Sequence, residues 1–310
     1  MTEFNFENEQ SVIDAYKNGF IGAMCDPEDL RQFLARSQMP VFGVAAYELK
    51  YSGEGKLSLP FKSLLKFVPD FGYSESQTTG DCVSHATRNA VDITRAVEID
   101  IKGEAEAFEF RGATEGIYQS RGHYGQGMSC SRAASYVSEI GGLLIRKKYD
   151  GIDLSKYNSS IGANHKIPDE IYETEAQKNP VSTVSLVSTV EEARDALANG
   201  YGLSCCSDLG FSETRDEHGI ARRSGSWSHA MAWIACDDTR EIYDETLFLV
   251  QNSWGKWNDG PKRLDQPEGS FWIREKDARA ILNSDGSFAF SNVVGFPARQ
   301  LPNYGLGDWL

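Results

Sequence analysis

The chain has 310 residues and six cysteines, long enough to bury a substantial core in one large domain or two lobes. With 40% hydrophobic and 25% charged residues, its composition is that of a globular protein and excludes wholesale disorder. A net charge of −14 excludes a general phosphate-binding surface, so no nucleic-acid partner is expected.

Met1 to Glu9 is acidic, with no basic region and no apolar run, and predicts no secretion signal. The longest apolar stretch, Val41 to Tyr47, is too short to span a bilayer. No membrane partner is expected, and the location predicted is the cytoplasm or the inside of a virus particle. Residues 11–36 carry helical cues: Val12, Ile13, Tyr16 and Phe20 recur near the helical period, and Asp26-Pro27-Glu28-Asp29 reads as a helix start before Leu30, Phe33 and Leu34. Val41 to Phe67 predicts extended chain broken by turns, notably at Ser52-Gly53-Glu54-Gly55. Residues 1–66 are read as an N-terminal extension ahead of the chemistry.

From Asp81 to about Ile101, the apolar series Val83, Ala86, Ala90, Ile93, Ala96 and Val97 predicts a long helix, with Asp81 as N-cap and Cys82 opening it. Further helices are predicted over Thr114–Ser120 and over Ser129–Ile140, the latter closed by Gly141-Gly142. Residues 151–184, rich in polar residues, Gly and Pro, predict a long surface connection. A short helix follows from Val190 to Ala198, capped by Ser188 or Thr189 and stopped at Gly200. Beyond it Leu203–Cys206, Ala230–Cys236, Leu247–Gln251 and Ser270–Ile273 predict strands. The class is α+β, with a helical lobe over 67–180 and a strand-rich lobe with a tail over 181–310. The basic runs Arg146-Lys147-Lys148 and Arg222-Arg223, and the acidic stretch Glu98 to Glu109, predict solvated surface.

Three short stretches carry chemistry. Cys82 ends Gln77-Thr78-Thr79-Gly80-Asp81-Cys82, His229 lies in Trp227-Ser228-His229-Ala230, and Asn252 lies in Val250-Gln251-Asn252-Ser253-Trp254-Gly255. Singly they read as a buried thiol, a satisfied core histidine and a strand end with its turn. In this order they supply a nucleophile, a base and a group that orients the base. A thiol is mostly protonated at neutral pH, so it needs help from the helix start and from a His229 imidazolium. Asn252 accepting from one imidazole nitrogen fixes the tautomer. The Cys82 backbone N–H and the Gln77 amide form a candidate oxyanion pair, and Trp254 a cover for the Asn–His bond. His85 on the Cys82 helix lacks an evident orienter, so His229 is preferred as base.

With Cys82 as nucleophile, Cys25, Cys130, Cys205, Cys206 and Cys236 make an odd set that predicts reduced, mostly buried thiols. Cys205-Cys206 with Asp208 has no second ligand pair at zinc spacing, so neither metal nor cofactor is predicted.

Over about residues 70–275 the chain resembles the papain-like cysteine peptidases, on Gln77–Ala86, Gly122–Gly142, Trp227–Cys236 and Leu249–Arg274 in that order. The resemblance implies a two-lobed fold with the cysteine on the first helix and the histidine and asparagine on an antiparallel, barrel-like sheet. It implies Cys82 as nucleophile, His229 as base, Asn252 as orienter and Gln77 as oxyanion donor. It makes Gly125-Gln126-Gly127 the stretch that pairs with a substrate backbone, with Met128 and Ser228 on either side of the specificity pocket. The chain departs from the family pattern in having Val83 after the nucleophile, Thr79 where many secreted members have cysteine, and a Gln77–Cys82 spacing one residue short. The activity implied is cleavage of peptide or protein substrates through a Cys82 thioacyl intermediate. A rival reading is a papain-fold component of a larger assembly such as a phage virion, engaged through residues 1–66. A third is a transglutaminase or amidase-like hydrolase.

Overall fold

The computed structural model describes residues 22–69, 75–284 and 286–304; the helical cues over 11–20 lie outside them. The first described helix, α1 (Pro27–Arg36), starts where the sequence predicts, with Asp26 Oδ1 accepting from the Glu28 and Asp29 amides. The predicted extended stretch to Phe67 is instead mostly helical: α2 (Phe42–Ala45), a 3₁₀ turn over Tyr47–Leu49, a short strand β1 (Leu57–Ser58) and α3 (Phe61–Phe67). Burial decides this. Phe42, Leu49, Leu57, Leu59, Phe61 and Leu64 are almost completely enclosed, so packing overrides a weak local pattern.

The central helix α4 (Cys82–Lys102) begins at Cys82 and ends at Gly103, whose left-handed φ of 71° suits a residue without a Cβ. Next come α5 (Thr114–Gln119) and α6 (Cys130–Ile140). Ser129 caps α6 by accepting from the Arg132 amide, and Gly141 closes it. A hairpin of β2 (Lys148–Tyr149) with β3 (Ile152–Asp153) leads into the predicted surface connection, which also holds α7 (Ser159–Ala163), α8 (Asp169–Glu175) and the start of β4 (Thr183–Leu186). Leu154, Ile161, Ile167, Ile171 and Tyr172 pack on Ala113 and Leu144, so this segment is a layer of the helical half. A capping box at Thr189 and Glu192 starts α9 (Val190–Ala198).

Strands β5 (Leu203–Arg215), β6 (Ala221–Asp237), β7 (Leu247–Gln251) and β8 (Ser270–Arg274) follow. α10 (Glu275–Leu282) and β9 (Ser287–Ser291) complete the described elements. The sheet runs β4-β9-β5-β6-β7-β8, all antiparallel, with β1 added to β6. β5 and β6 far outrun the predicted strands because their polar halves form a hairpin. Asp216 Oδ1 accepts there from the His218 and Ile220 amides. The sheet stays open among the described residues, so the barrel-like expectation is corrected to an open antiparallel sheet.

Two charge readings change. Arg146 is buried, not solvated: its guanidinium donates to Glu75 Oε1 at 2.8 Å and to Glu115 Oε2 at 2.5 Å. Against the opposing effect of burial, the charges of Arg88, Arg146 and Arg111 hold the Glu75 carboxyl well below its usual range. Glu98 is also buried, meeting Arg299 at 3.0 Å. Arg222 and Arg223 are exposed as predicted.

The thiol prediction is overturned as well. Cys130 on α6 and Cys206 on β5 form a disulfide that joins the helical half to the sheet. Spacing cannot reveal it, because the partners are 76 residues apart. Cys205 and Cys236 are buried thiols, and burial pushes both pKa values up; Cys25 is exposed.

The two halves meet closely where α4 crosses β5. A Cβ on Gly202 would stand 2.5 Å from Ala90 O and 2.8 Å from Ala90 Cα. Gly202→Ala is therefore expected to destabilise the fold by about 1–3 kcal/mol, since neither backbone can yield cheaply. Urea unfolding of the variant checks this.

Candidate active site

Cys82 occupies the first turn of α4 and is fully enclosed. Asp81 stands at the N-cap position, as predicted, but its side chain does not cap the helix. Its Oδ2 accepts from Tyr157 Oη at 2.8 Å and lies 3.5 Å from His85 Nε2. The loop before Cys82 is tied on several sides. Gln77 Nε2 donates to Thr79 O at 2.8 Å, while Gln77 Oε1 accepts from Ser253 Oγ at 2.5 Å. The Gln77 amide donates to Ser253 O at 2.9 Å. The two bonds to Ser253 join the Gln77–Cys82 loop to the residue beside Asn252. A fourth tie comes from Gln126, whose Oε1 accepts from the Gly80 amide at 2.5 Å and from Thr79 Oγ1 at 2.8 Å. A Cβ on Gly80 would meet Gln126 Oε1 at 2.7 Å and Gly127 N at 2.9 Å, so only glycine fits.

His229 lies on β6 opposite Ser207 of β5. Its Nε2 is 2.8 Å from Asn252 Oδ1. The Ser253 amide, which can only donate, is 2.7 Å from that same atom. The atom must therefore be oxygen, and His229 Nε2 must carry the hydrogen it donates. In the neutral ring the lone pair is then on Nδ1. Trp254 is fully buried against the imidazole, with ring centroids 4.5 Å apart and planes inclined by 31°. Trp227 and Trp257 continue the aromatic wall, at 5.0 and 5.3 Å from Trp254.

Burial lowers the His229 pKa to about 4; His85 adds to the shift and the Asn252 bond opposes it. At neutral pH the ring in this enclosed state is uncharged, so it does not supply the imidazolium that the sequence suggests. The linkage sign follows. With a folded pKa below the usual 6.5, the stability from keeping His229 neutral is present above 6.5 and lost as pH falls towards 4. The effect is on the order of 3 kcal/mol. Wild type is expected to lose that much more stability than His229→Gln between pH 7 and 4, measured by urea unfolding at each pH.

An extended piece of the chain itself lies between the backbones of Ser228 and Met128. The amides of Gly22 and Ala23 donate to Ser228 O at 3.1 and 2.9 Å. On the other side Met24 N donates to Met128 O at 3.0 Å, and Met128 N donates to Gly22 O at 3.1 Å. The backbone that pairs with this segment is thus that of Met128. Gly125 O accepts from Arg121 instead, and Gly127 takes a turn with φ 83°. Met128 is buried, with its sulfur 3.4 Å from Ser84 Oγ.

Sequence reasoning missed Gly22–Met24, Tyr157 and the bonds by which Gln126 and Ser253 hold the Gln77–Cys82 loop. The apolar Ile21-Gly22-Ala23-Met24 run before a helix start is a faint signal for the first. Tyr157 carries none, because it sits in a stretch that reads as surface.

Helices packed on an antiparallel sheet in this arrangement match known structures. Xylellain, a cysteine protease from Xylella fastidiosa, superposes with a TM-score of 0.54 at 17% identity, over 88% of this chain and 96% of its own. The fold is papain-like. Digestive procathepsin L 3 of Tenebrio molitor shares the papain-like fold with a TM-score of 0.52 at 12% identity, over 94% of this chain and 81% of its own. Procathepsin L2 from the same larval midgut gives 0.51 at 14% identity, over 91% and 88%. No protein-family model matches the chain, and no curated protein matches it. Among the described residues no helix is long and apolar enough to cross a membrane.

Proposed function

We propose that the chain is a cysteine peptidase that grips extended polypeptide between Met128 and Ser228 and attacks it with Cys82. Its own residues 22–24 hold that position until displaced. The observation that carries the reading is the fixed His229 tautomer, with Nε2–H on Asn252 and the basic lone pair on Nδ1. The loop that leads into Cys82 is bonded to the next residue, Ser253.

In the mechanism Nδ1 of His229 takes the Cys82 proton. The sulfur forms a C–S bond to the peptide carbonyl carbon while the carbonyl π pair moves to oxygen. The Cys82 backbone amide and the Gln77 side-chain amide stabilise that oxyanion. Collapse restores the C=O and breaks the C–N bond, and the imidazolium gives its Nδ1 proton to the leaving amine. Water, deprotonated by His229, then attacks the thioester; the C–S bond breaks and the proton returns to sulfur.

A fluorogenic peptide library tests this with the full chain and with Ala23→Pro, which deletes the amide that donates to Ser228 O. Ala23→Pro is expected to cleave faster than wild type, and adding Cys82→Ala is expected to silence both. Cleavage that continues without Cys82 would sink the reading.

A further inference from the structure

We propose that Tyr157 is a positioning residue of the oxyanion side. Its hydroxyl ties Thr78 to Asp81 and so holds the Gln77–Cys82 loop in the shape that aims the Cys82 amide and the Gln77 side chain at the developing oxyanion. The inference rests on the peptidase reading.

The hydrogen bonds fix the hydroxyl's two roles. Thr78 N can only donate, and it lies 3.0 Å from Tyr157 Oη, so the oxygen accepts there. The hydroxyl hydrogen is left for Asp81 Oδ2, at 2.8 Å. One atom thus bridges two loop residues three positions apart, just before Cys82. This also explains why Asp81, at the N-cap, makes no capping bond: its carboxylate is turned towards Tyr157. Burial, with the nearby Asp81 charge, holds the Tyr157 hydroxyl well above its usual pKa range, so it stays a donor.

The ring is itself held. It stands edge-on to His85 at 5.1 Å and 75°, and the Arg146 guanidinium lies 5.9 Å from its centre. Arg146 is anchored in turn by Glu75 and Glu115. A second bond from the same segment, Ser159 Oγ to Thr78 Oγ1 at 3.0 Å, fixes the loop beside it. The other ties, from Gln126 and Ser253, act on Thr79, Gly80 and Gln77. Tyr157 is therefore the restraint that sets Thr78 against Asp81. A loop one residue shorter than the family spacing has fewer ways to recover its shape once that bridge is lost.

The test is Tyr157→Phe in the full chain, which removes one oxygen and keeps the ring. Four readouts are compared with wild type: kcat and KM for a cleaved fluorogenic peptide, inhibition by a peptide aldehyde, the rate of Cys82 alkylation by iodoacetamide, and the melting temperature. The aldehyde forms a tetrahedral adduct with an oxyanion, whereas alkylation passes through none. Expected are a fall in kcat of roughly 10–100-fold, less than deleting an oxyanion donor outright, and aldehyde affinity weakened in parallel. KM and the alkylation rate stay within about twofold, as a loss confined to the transition state requires. An unchanged kcat, or alkylation slowed as much as kcat, overturns the proposal. Hydrogen exchange at the Thr78 amide gives a readout independent of turnover: faster exchange in the variant is expected, and unchanged exchange counts against the bridge. A Cys82→Ala control separates the two claims. If hydrolysis survives it, the peptidase reading falls first and this inference with it.

Discussion

Cys82→Ala is expected to lower kcat/KM for peptide hydrolysis by roughly 10⁴–10⁶-fold, the range for deleting a covalent nucleophile from a set that acts as a unit. Four of the other five cysteines are not placed to substitute. Cys130 and Cys206 are joined to each other, and Cys205 and Cys236 are buried with burial pushing their pKa values up. Cys82→Ser is expected to be nearly as inactive, since a hydroxyl does not give up its proton to a neutral imidazole as a thiol does. Both variants are checked by steady-state kinetics beside a melting curve. A loss of less than tenfold with the fold intact would remove Cys82 from the chemistry.

Replacing both Cys130 and Cys206 by alanine is expected to cost about 4 kcal/mol of stability, the second large effect. The bond closes a loop with a sequence separation of 76, and in the chain-entropy account a loop of that size restricts the unfolded state by about that amount. Because the bond runs from α6 to β5, it also fixes the helical half to the sheet. It sits near both of the backbones that flank residues 22–24. Cys130 follows Met128 by two residues, and Cys206 adjoins Ser207, the cross-strand neighbour of His229. Urea unfolding under non-reducing conditions checks the prediction, and dithiothreitol should bring wild type down to the level of the variant. A wild-type midpoint indifferent to reductant would show that the bond contributes nothing.

The legible parts of the fold have a common physical cause. The helix from Cys82, the helix ended by Gly141 and the helix capped at Thr189 declare themselves through periodicity, a cap or a stop within one short stretch. Val41–Phe67 and residues 151–184 do not, because their apolar residues are too scattered to set a period and are enclosed only when distant elements cover them. Arg146 shows the same limit for charge. A basic triplet reads as solvent-facing until Glu75 and Glu115 are brought to it from far along the chain. The halves of β5 and β6 beyond Cys206 and before Ala230 are polar, and only their pairing makes them strands.

The candidate site divides in the same way. The sequence by itself determined the residue types and their order: a thiol at a helix start, a histidine leading into a strand, and an asparagine at a strand end. Those are local signals, read from neighbours along the chain. Only the tertiary structure decided which histidine nitrogen carries the hydrogen, that Met128 rather than Gly125 or Gly127 pairs with residues 22–24, and that Cys130 meets Cys206. It also decided that Tyr157 reaches Thr78 and Asp81 before Cys82. Each depends on a hydrogen bond or a covalent bond between residues far apart in sequence. Such bonds form only after burial has brought the elements together, and no local pattern encodes them.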